Sequence, residues 1–137
     1  MFTSQVDRLV RLGYPALARR SEQEFRALLE PLREIADALR ASYVVVVTRD
    51  LVAPEDTVPL LRLTGSDVPG VVDRNHAPGG LALYEPIAVS TPPASTYLLV
   101  DVERGEEFCN VRPEDATMVV LERGRSPLTI DEGIAVV

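Results

Sequence analysis

A run of four consecutive valines, Val44 to Val47, is the feature that most constrains the fold. A strand with one wet face alternates apolar and polar side chains, and this run, flanked by Tyr43 and Thr48, does not alternate. Strands that are buried on both faces have this continuous β-branched pattern. The run therefore predicts a central strand, with other elements covering both of its faces.

Amphipathic helices are predicted before this strand. Apolar residues recur at helical spacing between residues 4 and 12. Ser21 and Glu24 have the spacing of a capping box, which predicts the start of a longer helix. Pro31 lies inside that helix and removes a backbone donor, so we expect a kink or break near Glu30.

The segment from Pro54 to Pro93 changes the character of the chain, because it holds seven of the eleven prolines. A high proline density disfavours central strands and long helices. We expect short strands and extended loops that cover the sheet. After this segment, residues 96–102 predict a strand, Gly105 a turn, and residues 106–111 the returning strand of a hairpin.

Two short helices are expected near the C-terminus. Pro113 and the acidic residues after it predict the first helix, and Thr129 with Glu132 repeats the capping-box pattern before the second. The predicted fold class is therefore α+β, with N-terminal helices packed on a small mixed or antiparallel sheet and short C-terminal helices. A length of 137 residues fits a single domain that spans residues 1–137.

The charge composition argues against polyanionic partners. The net charge is −7, all fourteen basic residues are arginine, and they form no basic run. Nucleic acids and anionic membrane surfaces both need a positive face, so we expect neither as a partner. No stretch approaches the roughly eighteen apolar residues of a membrane span, and the first residues lack the pattern of a secretory signal. We therefore expect a cytoplasmic location.

The strongest candidate site is the loop from Gly70 to Tyr84, which holds the only histidine, His76. A histidine that titrates near neutral pH, with the Asp73 carboxylate three residues away, can act as a general base or bind a ligand. The predicted ligand-binding residues are Arg74, Asn75, His76, Gly79, Gly80 and Arg112. The alternative is a structural loop, in which Asp73 and Asn75 make turn hydrogen bonds and the histidine ring bonds a backbone carbonyl.

Other reactive groups have structural explanations that fit them better. Four carboxylates around the predicted hairpin could hold Mg²⁺ or Ca²⁺, but a solvated hairpin end is the favoured explanation: Asp101, Glu103, Glu106 and Glu107. The only cysteine, Cys109, lies on a predicted strand, and we expect it to be buried and unreactive. We expect no metal and no cofactor.

Several arginines could bind the carboxylate or phosphate of a small ligand, and surface ion pairs explain them as well: Arg49, Arg62, Arg74 and Arg112.

Three separated segments resemble one known family. They read GVVDRNHAPGGL at 70–81, YLLVDVERGEEFCNVRPEDA at 97–116 and ERGRSPLTIDEGIAVV at 122–137. In this order and wording they resemble a domain of unknown function that is common in actinobacterial genomes. The resemblance implies members that usually continue for several dozen residues rich in Trp, Arg, Lys and Cys, which this chain lacks. It implies no reaction.

Three functions fit these features. In the first, the protein binds or transforms a small polar metabolite between the 73–80 loop and the 97–111 hairpin. In the second, it is a non-catalytic protein-interaction module, and in the third it is the core of a longer enzyme that is inactive alone. A pocket lined by His76 and convergent arginines favours the first, and a flat apolar patch favours the second. The sequence slightly favours the first as the location of a ligand.

The apolar end of the chain predicts self-association. The helix after Thr129 has about two turns, and helices this short need tertiary contacts to be stable. Its apolar residues Ile134, Val136 and Val137 form a patch that a two-fold dimer would cover. Sedimentation equilibrium at micromolar concentration should therefore show a mass above 15.0 kDa that rises with concentration. A mass of 15.0 kDa at every concentration would contradict the dimer.

Overall fold

The computed structural model describes residues 1–87 and 89–137, and in them it has seven α-helices and two β-strands. The helices are α1 (Phe2–Arg11), α2 (Tyr14–Leu17), α3 (Glu22–Leu29), α4 (Leu32–Ala38), α5 (Pro54–Thr57), α6 (Pro113–Glu122) and α7 (Ile130–Val136). The strands are β1 (Tyr43–Val47) and β2 (Thr96–Val100). The predicted α+β class, with N-terminal helices, an antiparallel sheet and short C-terminal helices, is confirmed.

Local signals placed the helix ends well. Ser21 accepts a hydrogen bond from the Glu24 amide, and the Glu24 carboxylate accepts one from the Ser21 amide at 2.8 Å, which confirms the capping box. The break at Pro31 is also confirmed, because α3 ends at Leu29 and α4 begins at Leu32. Each of these features depends on residues within one helical turn.

β1 and β2 pair antiparallel, with Tyr43 opposite Val100 and Val47 opposite Thr96. In the part of the chain that the structure describes, the sheet has only these two strands. The prediction that the valine run is a central strand is therefore wrong, because β1 has one edge that no other strand covers.

The predicted hairpin between residues 96 and 111 is also wrong. β2 pairs with β1, and Glu106–Phe108 form a 3-10 turn after Gly105, which has a φ of 69°. Asn110 has a positive φ as well, 63°, so the backbone cannot continue as an extended strand there. The sheet is thus formed by two strands that lie far apart in the sequence.

The prediction that both faces of β1 are covered holds, even though one edge is open. Tyr43 and Val45 belong to the main hydrophobic core, which the N-terminal helices build with Phe2, Phe25 and Leu29. Side chains alternate along a strand, so Val46 points to the opposite face, where it is fully buried. Its cross-strand partner Tyr97 contacts α7 on that face. Helices therefore cover both sides of the two-stranded sheet.

The proline-rich segment from Pro54 to Pro93 contains no strand among its described residues, which corrects the expected short strands. It forms α5, two 3-10 turns (Val58–Leu60 and Gly80–Leu83) and extended loops. Much of its apolar surface stays exposed, including the side chains of Leu63, Val68, Val71, Leu83 and Ile87. Gly70 is needed where two loops cross, because a Cβ there would collide with the Val58 carbonyl oxygen.

The uncovered edge of β1 is partly occupied by one side chain of α1. The Gln5 amide donates to the Tyr43 carbonyl at 2.9 Å and accepts from the Val45 amide at 2.8 Å. These two bonds have the pattern that a neighbouring strand would make. Gln5 thus satisfies two backbone groups that the two-stranded sheet leaves without a partner.

None of the helices in residues 1–87 and 89–137 combines the length and the apolar character that a membrane crossing demands.

Replacing Gln5 by Ala should lower the free energy of unfolding by about 1–3 kcal/mol, because it leaves the Val45 amide and the Tyr43 carbonyl without partners. Urea denaturation followed by circular dichroism would measure the loss. Gln23→Ala is the matched control, since Gln23 is exposed on α3 and should change stability by less than about 0.5 kcal/mol. Equal effects of the two substitutions would show that the Gln5 bonds contribute little.

Candidate functional site

The loop around His76, which the sequence favoured, lies on the surface. The Asp73 carboxylate accepts a hydrogen bond from the Asn75 amide at 2.7 Å, and the Asp73 carbonyl accepts one from the His76 amide at 2.9 Å. The His76 ring stands edge-on to the Tyr84 ring, with the centroids 5.6 Å apart. Asp73 therefore makes the turn bonds of the structural alternative.

The structure does not bring the predicted ligand-binding residues to one pocket. His76, Arg74, Asn75 and Gly79 are exposed, and no residue of the 73–80 loop lines any of the three main cavities. Arg112 lies before α6, where its guanidinium binds the Asp115 carboxylate at 2.8 Å. No hydrogen bond or ion pair in the described residues joins Arg112 to the loop. Their roles in ligand binding stay predictions, but the expected pocket against a 97–111 hairpin is not formed.

Cys109 is exposed, so the prediction of a buried thiol is wrong. The physical reason is the missing strand, since Cys109 follows a 3-10 turn and does not alternate with Phe108 across a sheet. Most of the carboxylates nearby pair with arginines: Glu107 binds Arg123 at 2.5 Å, and Arg125 lies 3.0 Å from Asp101. Among the residues the structure describes, no three metal-binding side chains come together.

Arg49, just beyond β1, connects three distant segments. Its backbone amide donates to the Asp131 carboxylate at 3.0 Å, and its guanidinium donates to both oxygens of the same carboxylate at 3.0–3.2 Å. The Nη1 atom donates to the carbonyls of Leu81 and Tyr84 at 3.2 and 2.8 Å. Arg49 thus connects the start of α7 and the Leu81 and Tyr84 carbonyls of the proline-rich segment to the end of β1.

A second buried network lies beside Arg49. The Tyr97 hydroxyl, on β2, donates to Glu132 Oε1 at 2.9 Å, and the other Glu132 oxygen accepts the Thr129 amide at 2.7 Å. Burial, together with the hydrogen bond to the Glu132 carboxylate, raises the pKa of the Tyr97 phenol well above its ordinary value. Glu132 was expected only as a capping residue of α7, and through its bond with Tyr97 it also connects α7 to β2.

Four residues of these two networks, Arg49, Tyr97, Thr129 and Asp131, line a cavity of about 350 Å³, which we call the Arg49 cavity. Its walls come from the ends of both strands, the proline-rich loop and the turn before α7. The lining residues used below are Thr48, Arg49, Asp50, Tyr84, Glu85, Thr91, Tyr97, Thr129 and Asp131. A volume of this size suits a small molecule.

The polar groups that remain available in the Arg49 cavity are mainly acceptors. Arg49 is the only basic residue among those that line it, and Asp131 and two carbonyls already engage its donors. Asp50, Glu85 and Tyr84 line the cavity, are exposed, and make no side-chain hydrogen bond within the described residues. The cavity can therefore accept hydrogen bonds from a ligand, and its net charge favours a cation.

The sequence contained only weak signals for this site. Arg49 was one of four arginines that could bind an anion, and the structure shows it engaged by Asp131 instead. The partners are separated by 82 residues, so spacing along the chain could not join them. The capping box at Thr129 and Glu132 was the one readable signal, and it placed α7 without showing what α7 contacts.

The comparisons with known proteins give a family and no activity. A model of a family of unknown function, DUF5701, matches residues 8–137, so the chain belongs to this family. No curated protein and no solved structure matches the chain. The resemblance to a domain of unknown function is therefore confirmed, and the function must be argued from the geometry.

Replacing Arg49 by Ala should lower the free energy of unfolding by about 2–4 kcal/mol. The substitution keeps the bond from the residue 49 amide to Asp131, but it leaves the mostly buried Asp131 carboxylate without its guanidinium partner and two carbonyls without their donor. Arg26→Ala is the matched control, because the solvent-accessible pairs of Arg26 with Asp7 and Glu22 should each contribute less than about 1 kcal/mol. Chemical denaturation of both variants would decide, and similar losses would contradict the central role of Arg49.

The raised pKa of Tyr97 predicts a loss of stability at alkaline pH. Above about pH 10 the unfolded phenol loses its proton while the folded one keeps it, so stability present below pH 10 declines as the pH rises. The slope should reach at most about 1.4 kcal/mol per pH unit for this group. Denaturation between pH 9 and about 11 should show a shallower decline in Tyr97→Phe, while Tyr84→Phe, at an exposed position, should follow the wild type.

Proposed function

We propose that this member of the family binds a small polar molecule in the Arg49 cavity and that the molecule carries a positively charged amine. The observation that supports this proposal is the excess of unengaged acceptors there. Asp50 and Glu85 offer free carboxylates, while the cavity's one basic side chain is already neutralised by Asp131. A charged amine supplies the donors and the charge that these groups lack.

Tyr84 adds a second reason for a cationic ligand. Its ring lines the cavity and its side chain is half exposed, with 53% of the residue accessible, so one face is open to a bound molecule. An ammonium group over a tyrosine ring is attracted by the negative ring face. The edge contact with His76 fixes the orientation of this ring, which gives the predicted loop an indirect role at the site.

Binding accounts for the cavity better than catalysis does. The ionisable side chains among its described lining residues are carboxylates, phenols and Arg49, whereas His76 and Cys109 do not line it. Asp50 and Glu85 are exposed, and Asp131 is engaged by Arg49, so none of the three carboxylates lies in the apolar surroundings typical of a catalytic acid. The proposal therefore names a ligand class and no reaction.

Several finer predictions accompany this proposal. We propose a cytoplasmic location, an actinobacterial origin and a kinship with longer family members; the core of a longer enzyme that is inactive alone is the alternative to the binding role. A homodimer through the apolar end of α7 stays a prediction as well. Each of these is compatible with a ligand site in the Arg49 cavity.

The proposal can be tested by NMR titration of the ¹⁵N-labelled protein with three amines, ethanolamine, putrescine and agmatine. Acetate is the anionic control and glycerol the uncharged one. The amines should shift amide signals around Thr48 and Asp131, and the controls should not. Asp50→Asn should weaken amine binding by about two- to fivefold, as expected for one exposed charge pair. The matched control is Asp56→Asn on α5, which lies outside the cavity and should leave affinity unchanged. Preference for acetate, or identical affinities of the two variants, would overturn the proposal.

A further inference from the structure

A second concave surface lies along the open edge of β1, on the other side of Asp131. We call it the β1 groove. It has a volume of about 280 Å³ and is lined by α1 on one side and the last turn of α7 on the other, with Val44, Val45 and Val47 between them. Leu9 of α1 and Leu12, just after α1, line it together with Ile134 and Val136 of α7, so its walls are largely apolar.

The floor of the groove contains a short stretch of β1 backbone without hydrogen-bond partners. Thr48 bonds Ser95 and Asp101 bonds Ser42, which fixes Val44 and Val46 as the β1 residues that bond β2. Tyr43, Val45 and Val47 therefore direct their backbone groups to the open edge. Within the described residues, the Val45 carbonyl accepts no hydrogen bond and the Val47 amide donates none.

Side chains close the edge on both sides of this gap. The Gln5 side chain donates to the Tyr43 carbonyl and accepts from the Val45 amide, and the Asp131 carboxylate accepts from the Arg49 amide. The open groups between them can pair with one short extended segment, because a strand advances about 3.3 Å per residue. Adding a strand to an exposed sheet edge is a common way to bind an extended peptide.

The charges at the groove indicate the chemistry of the segment. Arg8 and Arg62 line it, and neither makes an ion pair with a carboxylate in the described part of the chain. Arg62 donates to the carbonyls of Pro59 and Leu61, which do not neutralise its charge, so the two arginines place positive charge at the groove of a chain whose net charge is −7. A carboxylate on the incoming segment would complement them.

We infer that the β1 groove binds an extended, acidic segment of a partner protein as a third strand. Its backbone pairs with Val45 and Val47, its apolar side chains contact the walls from α1 and α7, and a Glu or Asp reaches Arg8 and Arg62. A second copy of this chain cannot pair its own β1 edge with this one. The β1 edge lies at the floor between two helices, so the edges of two copies cannot approach each other.

Phage display of random nine-residue peptides against the full chain supplies the probe. An enriched peptide, made synthetically, should carry alternating apolar residues and at least one acidic residue. Its binding should slow hydrogen exchange of the Val47 amide, whereas the Val46 amide, already bonded to β2, should change little. Failure to enrich any peptide, or binding without protection of Val47, would overturn the inference.

Variants of the peptide backbone and of the groove charges then distinguish strand addition from binding through side chains alone. N-methylation of the peptide amide that donates to the Val45 carbonyl should abolish binding, while N-methylation of the next, outward-facing amide should preserve it. Arg8→Ala should weaken binding about two- to fivefold, and Arg11→Ala, on the same helix but outside the groove, should not. Equal effects within either pair would contradict the proposed pose.

Two further measurements distinguish the alternatives. Asp50→Asn should leave peptide affinity unchanged, so this inference and the amine site can fail independently. If Val47 becomes protected in the free chain as its concentration rises, together with an increase in mass by sedimentation equilibrium, a second copy occupies the groove and the inference is wrong.

Discussion

The bidentate contact between the Arg49 guanidinium and the Asp131 carboxylate is the interaction on which the assembly of this chain depends. A two-stranded sheet is marginal alone and needs packing on its faces. The N-terminal helices cover one face through the main core, but the other face is covered by α7, a helix of seven residues. Such a helix cannot hold itself in place. Arg49, just after β1, and Tyr97, on β2, anchor its first turn through Asp131 and Glu132.

Some parts of the fold could be predicted from the sequence because they depend only on neighbouring residues. The capping boxes at Ser21 and Thr129, and the break at Pro31, are decided by residues within one turn. The valine run correctly indicated a strand covered on both faces. The pairing of strands could not be read in this way, because β1 and β2 are separated by the whole proline-rich segment. A hairpin after β2 was the more local solution, and the positive φ of Asn110 prevents it.

The candidate site was harder to predict, for a related physical reason. Rare residue types drew attention to His76 and Cys109, yet both lie on exposed turns. The residues that meet in the Arg49 cavity are common ones from three segments, and only tertiary packing brings them together. The predicted loop does contribute at its far end, where the carbonyls of Leu81 and Tyr84 accept from Arg49.

The side-chain amide of Gln5 has a consequence for solubility. An unprotected strand edge of β-branched residues is a template for endless sheet growth between molecules, and the sequence of β1 has the composition of aggregation-prone segments. Gln5 and Asp131 shorten the accessible edge to a few backbone atoms at the bottom of a cleft. Polymerisation through β1 is thereby blocked by two residues that lie outside the strand, so the chain can keep four adjacent valines without charged or proline gatekeepers among them.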